Sequence, residues 1–359
     1  MKILVTGNTG YIGPVLAQYL KNSREDLEII GFDQGYFAHC LTNAPYLPEF
    51  NYDQQYWGDL RDFPFEILDD IDTVVHLSAI SNDPMGSKFE KITKEINYQS
   101  SIDFAKEAKA RGVSSFVFAS SCSMYGITEG SNRKENDELN PLTAYSKSKV
   151  AMEKDLSALA DESFVTTALR FATACGMSTR LRLDLVLNDF VACAISSGNI
   201  TVLSDGTPWR PLIDVKDMSR AIDWAIDRKP EVGGLFLPIN TGSEDWTYQI
   251  KDLANIVAEN IPGTKVSINS NAKSDERSYR VDFSLFETLA PNHQPVMSIE
   301  KTIKEIKLGL ENMQFVDSNF RMSNYMRLKV LQGHIEAKRL DENLRWIDIK
   351  HKALPTGSC

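Results

Sequence analysis

At 359 residues the chain is long enough for one large domain with a smaller lobe, and 42% hydrophobic with 25% charged residues is an ordinary globular composition. A formal net charge of −10 argues against nucleic acid or an anionic membrane as the main partner, and no apolar stretch is long enough to span a bilayer. Five scattered cysteines, Cys40, Cys122, Cys175, Cys193 and Cys359, form no CxxC pair, which argues for reduced thiols, no metal site and a cytoplasmic protein.

Along the chain, Ile3-Leu4-Val5 reads as a buried parallel strand that breaks into Gly7, Gly10 and Gly13, and residues 12–20 then carry apolar side chains at helical spacing. Residues 27–32 read as a second buried strand ending at Asp33, and 73–77 as another. A helix is expected over 88–111, a strand over 115–119, a helix over 142–160 and a strand over 165–170. These repeated β-α-β units predict an α/β fold, a doubly wound parallel sheet with helices on both faces. After Cys175 the rhythm loosens into a helix near 185–196, a turn-rich stretch Ser204–Pro211, a strand over 235–239 and a helix capped by Thr247 that runs to 259. The expected division is a dinucleotide-type domain of residues 1–175 rejoined by 211–245, and a C-terminal lobe of 176–210 and 246–359. Beyond Met313 the pattern suggests only a helix packed on the surface.

The glycines carry the first chemical signal. Gly7 permits a tight turn, Gly10 lets backbone approach a pyrophosphate, and Gly13 lets helix pack on strand, with helix-start N–H groups facing phosphates. Asp33 lies about twenty residues past the last of them, where a carboxylate accepts both adenosine ribose hydroxyls and repels a 2′-phosphate. No Lys or Arg lies between Gly31 and Leu60, so NAD is expected rather than NADP. The plain alternative for Asp33 is a turn cap.

Tyr145-Ser-Lys-Ser-Lys149 sets Tyr145 and Lys149 on one helix face. A neighbouring ammonium is expected to lower the phenol pKa, so that the tyrosine exchanges a proton with a substrate hydroxyl near neutral pH. Upstream, Ala119-Ser-Ser-Cys-Ser-Met-Tyr-Gly126 places hydroxyls at the carboxyl edge of the sheet, where ligands bind in such folds.

With these residues in this order, the chain resembles the extended short-chain dehydrogenase/reductase family, in the branch that modifies sugars carried on nucleoside diphosphates. Thr6–Gly13 is similar to the family's TGxxGxxG, Gly58–Asp62 to its adenine-side GDxxD, His76–Ala79 to its strand-end HLAA, and Asn97 to its helix asparagine. The resemblance covers residues 1–310 and implies a Rossmann-type fold with NAD as cofactor. It implies that Gly7, Thr9, Gly10, Tyr11, Ile12, Gly13, Asp33, Asp59, Leu60, Leu77, Ser78, Ala79, Asn97 and Phe171 bind NAD, together with Tyr145 and Lys149. It further implies that Ser121 bonds the reacting oxygen, Tyr145 is the acid/base, and Lys149 stabilises the phenolate and holds the nicotinamide ribose.

On the substrate side the resemblance implies Arg210 on the diphosphate, with Asn188 and Arg277 as similar contacts, and Ser81, Asn82, Ser123 and Thr173 about the sugar. Thr173 stands where many members carry asparagine. For Arg277 an ordinary surface ion pair is the alternative. Arg180 and Arg182 are further cations of the lobe, and the sequence selects neither. A homodimer through helices 88–111 and 142–160 is implied by many relatives.

The segment beside Ser121 narrows the reaction. Sugar 4,6-dehydratases of the family carry Asp-Glu directly after the catalytic hydroxyl residue, and uronate decarboxylases a nearby glutamate. Here the positions are Cys122 and Ser123, with no carboxylate from Ala119 to Gly126. The resulting reading is a nucleotide-diphosphate-sugar epimerase: hydride goes to NAD and back through a transient ketosugar. Three alternatives stand beside it: a ketosugar reductase or dehydrogenase, a 3,5-type epimerase in which the Cys122 thiol moves protons, and an NAD-binding module without catalysis. For Cys122 the plain alternative is a small residue packed under the loop. His76 is expected to be a packing residue, and Ser81, Asn82 and Asp83 are expected to rim the sugar pocket.

Overall fold

A computed structural model describes residues 1–127, 130–269 and 278–347. Its first half runs β1 (Lys2–Thr6), α1 (Gly13–Ser23), β2 (Glu28–Asp33), β3 (Gln54–Trp57), β4 (Thr73–His76), α2 (Asp83–Lys88), α3 (Glu90–Lys94), α4 (Ser101–Ala110), β5 (Ser115–Ser121), α5 (Ala144–Leu159) and β6 (Val165–Phe171). Then come β7 (Thr173–Cys175), α6 (Val186–Ser197), β8 (Asn199–Val202), β9 (Trp209–Asp214), α7 (Val215–Ile226), β10 (Phe236–Thr241), β11 (Thr247–Gln249), α8 (Ile250–Asn260), β12 (Lys265–Ile268), α9 (Ser284–Leu289), α10 (Ile299–Asn312) and α11 (Arg327–Glu336).

The main sheet has the order β10-β6-β5-β4-β1-β2-β3, and every adjacent pair is parallel. All of β4 and β6 is buried, as strands covered by helices on both faces must be. The edge strand β3 is mostly exposed, and its polar Gln-Gln-Tyr-Trp gave no apolar run to read. The chain reverses its direction of winding between β1 and β4, which opens a crevice at their carboxyl ends. Gly7 sits there at φ +73°, and a Cβ on it would meet the Ser78 nitrogen at 2.6 Å. Only glycine lets the turn after β1 lie against the end of β4.

Several elements differ from the sequence reading. The helix expected over 88–111 is broken, with a π-helical turn at Glu95–Ser100 between α3 and α4. That turn aims the Asn97 side chain at Ile80, accepting its N–H at 2.8 Å and donating to its carbonyl at 3.0 Å. Thr247 caps no helix. It begins β11, which pairs antiparallel with β9, and Gln249 stands at the N-cap of α8. The helix α7 follows β9 without a break because Asp214 both ends the strand and caps the helix, accepting the Lys216 N–H at 2.8 Å.

The lobe contains the β11-β9-β7 sheet, the β12–β8 pair and a core between α6, α8 and α10. The chain does not divide at 246 in its packing. Tyr279, Val281, Phe283, Phe286 and Ala290 pack with Ile3, Val5 and Leu16 in the core of the main sheet. Nor is the segment 327–347 a surface addition. Leu331, Leu340 and Leu344 are buried with Tyr36, Ile80, Met85 and Ile96, and burying a leucine contributes about 1.5–3 kcal/mol. Beyond α11 the chain crosses the loop after β2: Tyr36 Oη and Gln34 Nε2 both donate to the Leu344 carbonyl, and Trp346 Nε1 donates to the Gln34 carbonyl at 2.7 Å. No helix among the described residues is long and apolar enough to cross a membrane.

Candidate active site

The carboxyl ends of the strands open on one continuous cavity of about 630 Å³. At one end its walls are Gly7, Gly10, Tyr11, Ile12, Asp33 and Leu60, then Leu77, Ser78 and Ala79. At the other are Ser81, Asn82, Ser121, Ser123, Tyr145, Lys149, Phe171, Thr173 and Arg210. Residues far apart in sequence therefore share one chamber.

At the Asp33 end, the two carboxylate oxygens accept separate backbone bonds, from Thr9 N–H at 3.0 Å and Gly35 N–H at 2.7 Å. A carboxylate accepts about four such bonds, so capacity remains for hydroxyl donors. Burial raises the Asp33 pKa, and these bonds and Arg180 oppose the rise. No side chain caps the first turn of α1, where Pro14 carries no N–H and the Val15 N–H bonds the Ile12 carbonyl at 3.0 Å, so an anion there would meet the N–H groups ahead of Pro14. Gly13 lies against the Asn8 backbone, where it lets α1 approach β1. Asp59 is not in the cavity wall; it is ion-paired to Arg61 at 2.6 Å, while its neighbour Leu60 lines the chamber. Asn97 lies behind the wall and braces Ile80.

The cation-free stretch before Leu60 did not show what the fold brings from elsewhere. Arg180, buried at 1% exposure, comes across from the lobe and pairs with Glu49 at 2.7 Å. Arg61 pairs with Asp59, so both cations near Asp33 already face carboxylates.

At the opposite end, the capping box of Thr143 and Ser146 starts α5 just before Tyr145, which fixes where the tyrosine enters the cavity. Lys149, one turn on, donates to the Ala119 carbonyl at 2.7 Å, and its Nζ lies 5.5 Å from the Tyr145 ring centre. Burial lowers the Lys149 pKa to about 7. The expected lowering of the Tyr145 phenol does not occur: burial first, and the Asp83 charge second, push it up to about 12, with Ser121 and Arg182 pulling the other way. Desolvation of the buried ring outweighs the neighbouring groups that favour the phenolate. Ser121 Oγ donates to Ser123 Oγ at 3.0 Å and accepts the Ser123 N–H at 3.2 Å.

Cys122 is a correction. Its thiol points away from the cavity, is fully buried and donates to the Arg170 carbonyl at 3.0 Å, and burial pushes its pKa up. In the tight turn after β5, Ser121 and Ser123 face the chamber and the residue between them faces the core. This geometry removes the proton-moving role for Cys122, and with it the 3,5-type alternative. Asn188 is likewise outside the chamber. It accepts the Gly176 N–H at 3.0 Å and donates to the Arg182 carbonyl at 2.9 Å, bracing the loop before α6. Arg277 lies outside the described residues. His76 packs as expected, bonded between Thr6 and Ser101, with burial lowering its pKa to about 3.

Asp83 lines the chamber with Ser81 and Asn82, as the sequence led one to expect, and accepts from Thr143 Oγ1 at 2.6 Å. The chamber also contains side chains that carried no motif. Arg182 is paired with Asp184 at 2.9 Å, Tyr279 lies 5.4 Å from the Arg210 guanidinium, and Arg321 and Arg327 arrive from the end of the chain. Periodicity could not reveal them, because each is placed by a tertiary contact.

Beneath the chamber, Glu153 and Arg170 form a buried pair at 2.7 Å. Ser120 Oγ donates to Glu153 at 2.6 Å, which ties this pair to the strand end bearing Ser121.

The sheet order, the glycine turn and the crevice beside it define a dinucleotide-binding enzyme of Rossmann type. The chain belongs to the NAD dependent epimerase/dehydratase family, whose pattern matches residues 3–236, and its cofactor is NAD. Among curated relatives it is 29% identical over 286 residues to an uncharacterized UDP-glucose epimerase of Bacillus subtilis, covering 76% of this chain and 86% of the relative. Its fold is similar to that of MoeE5, solved with UDP-glucuronic acid and NAD: TM-score 0.74, 22% identity, 87% of this chain and 99% of that one covered. It is also similar to TunA, an NAD dependent NDP-hexosamine 5,6-dehydratase, with TM-score 0.72, 22% identity, and 87% and 98% covered.

The residues present fit NAD. Gly7 and Gly10 present no side chain to the cavity, and Asp33 has spare acceptor capacity.

Proposed function

We propose that this enzyme interconverts two nucleoside-diphosphate sugars that differ in configuration at C4. The observation that carries the proposal is the meeting of Ser121, Tyr145 and Lys149 at one end of a chamber whose other end is the glycine turn and Asp33. Bound NAD would supply reversible hydride acceptance at the sugar carbon and, when oxidised, a positive charge beside the phenol.

In this reading Asp33 holds the adenosine ribose, and Gly7 and Gly10 give the pyrophosphate a side-chain-free approach to the turn, with Tyr11 and Ile12 at the start of the helix. Ser121 bonds the reacting oxygen, and Tyr145 takes the hydroxyl proton as the ketosugar forms and returns it afterwards. At about 12 its pKa keeps the phenol protonated at neutral pH; a neighbouring positive charge, which oxidised NAD would supply, favours the phenolate. Lys149 steadies the phenolate from below and holds the nicotinamide ribose. Arg210, stacked on Tyr279, binds the diphosphate, and Ser81, Asn82, Ser123 and Thr173 read the sugar. Neither the turn Ser121–Gly126 nor the buried Cys122 supplies the extra acid and base that elimination needs.

One observation supports a second reading, dehydration. Asp83 lies in the chamber close enough to Tyr145 to raise its pKa, so a carboxylate is present from another element. Incubating the purified enzyme with a panel of UDP- and dTDP-sugars separates the two. A product of unchanged mass inverted at C4 supports epimerisation; a product lighter by one water favours dehydration with Asp83.

A further inference from the structure

The C-terminal segment brings into the cavity an arginine that forms no ion pair among the described residues. Arg327 opens α11, is 1% exposed and lines the chamber. One of its terminal nitrogens, Nη2, donates to the Arg180 carbonyl at 2.8 Å, and its guanidinium lies 4.7 Å from the centre of the Phe37 ring. The other terminal nitrogen, Nη1, is buried with no hydrogen-bond partner, and no ion pair to Arg327 forms among the described residues. Burial lowers its pKa to about 10; the neighbouring Cys40 and Asp184 oppose the fall while Arg182 and Arg180 add to it, and the cation persists at neutral pH. A buried charge in this state is expensive unless a ligand completes it. Arg327 is the first residue of α11, whose first turn has no side-chain cap.

Its neighbours locate the guanidinium. The Arg180 carbonyl belongs to the loop that closes over the glycine turn, where Tyr11 Oη donates to the Gly176 carbonyl at 2.6 Å and Ser178 Oγ donates to the Tyr11 carbonyl at 2.7 Å. Phe37 belongs to the loop that follows Asp33. In a dinucleotide running from Asp33 across the glycine turn, the pyrophosphate would lie at the start of α1, beside the loop that contacts Tyr11 and leads to Arg180.

We propose that Arg327, from the C-terminal helix, is a ligand of the cofactor's pyrophosphate, so that docking of the segment 320–347 and binding of NAD are coupled. The inference rests on the NAD site described above and extends it to a part of the chain outside residues 3–236. By linkage the cofactor steadies the docked segment as much as the docked segment steadies the cofactor. Arg182, by contrast, is already matched by Asp184 and faces Tyr145.

Calorimetric binding of NAD, ADP, adenosine and UDP to the full-length protein and to Arg327→Gln tests the assignment. Loss of a charge-assisted bond to phosphate is expected to weaken NAD and ADP by about 10- to 100-fold while adenosine and UDP change little. Arg327→Lys, which keeps the charge, is expected to recover part of the loss. Equal weakening of adenosine would show general damage, a loss confined to UDP would move the guanidinium to the substrate diphosphate, and no loss would remove it from both; each overturns the proposal. If Arg327→Gln does not fold, hydrogen exchange on the unaltered protein decides. ADP is expected to slow exchange at residues 327–333 more than adenosine or UDP does, and equal protection by all three would overturn the assignment. Failure of the unaltered protein to bind NAD or ADP would instead undo the cofactor site itself.

Discussion

Replacing Glu153 with glutamine probes how the floor of the active site is held. Glu153 and Arg170 are each 5% exposed, and the guanidinium reaches both carboxylate oxygens, with Nη2 at 2.7 Å and Nε at 3.1 Å. Glutamine keeps the volume and an acceptor for Ser120, so the perturbation is chiefly removal of the negative charge. Breaking a buried pair from one side costs about 3–5 kcal/mol because the surviving charge is left uncompensated. Arg170 retains two neutral acceptors, Tyr125 Oη and the Glu135 carbonyl, each at 2.9 Å, which places the expected loss near the lower end, about 3 kcal/mol. Urea unfolding followed by circular dichroism reads this as a lower midpoint at unchanged slope. The double change Glu153→Gln with Arg170→Met removes the orphaned charge and is expected to be more stable than the single variant. A single-variant loss below about 1 kcal/mol, the range of an exposed pair, would refute the reasoning.

Tyr145→Phe is expected to lower turnover by about 10²- to 10⁴-fold while NAD affinity stays within a few-fold, measured by product formation and calorimetry; retained turnover contradicts its acid/base role. Cys122→Ala is expected to leave turnover and its pH profile intact and to cost about 1 kcal/mol of stability in urea, whereas a change in the pH profile would return the thiol to the chemistry. Lys149 titrates near 7 when folded but near its ordinary value, about 10.4, when unfolded. Between those values the unfolded chain binds more protons, so this group makes stability rise with pH from 7 towards 10. Lys149→Met should flatten that rise in urea midpoints, and an unchanged slope would contradict the buried, depressed lysine.

The sheet was legible because its strands are apolar runs and its cofactor turn is marked by glycines whose spacing has a steric cause. Ser121, Tyr145 and Lys149 were legible as an ordered set, although nothing in their spacing could show that desolvation dominates at Tyr145. The sense in which Cys122 faces was equally hidden, since in a tight turn one residue's rotation decides between cavity and core. The exposed β3 and the uninterrupted passage from β9 to α7 lacked the patterning and the breaks on which sequence reading depends. Arg180 and Arg327 were the least accessible. They approach the chamber from the lobe and from the end of the chain, and no local signal marks a side chain placed by a contact more than a hundred residues away.

In the proposed reaction hydride leaves and returns to the same sugar carbon. Substrate carrying deuterium at C4, incubated in ordinary water with the purified enzyme, tests this directly. The expected result is a C4-inverted product that keeps the label at C4 in full. Label washed out to solvent, or found at C6 of a product lighter by one water, would contradict it.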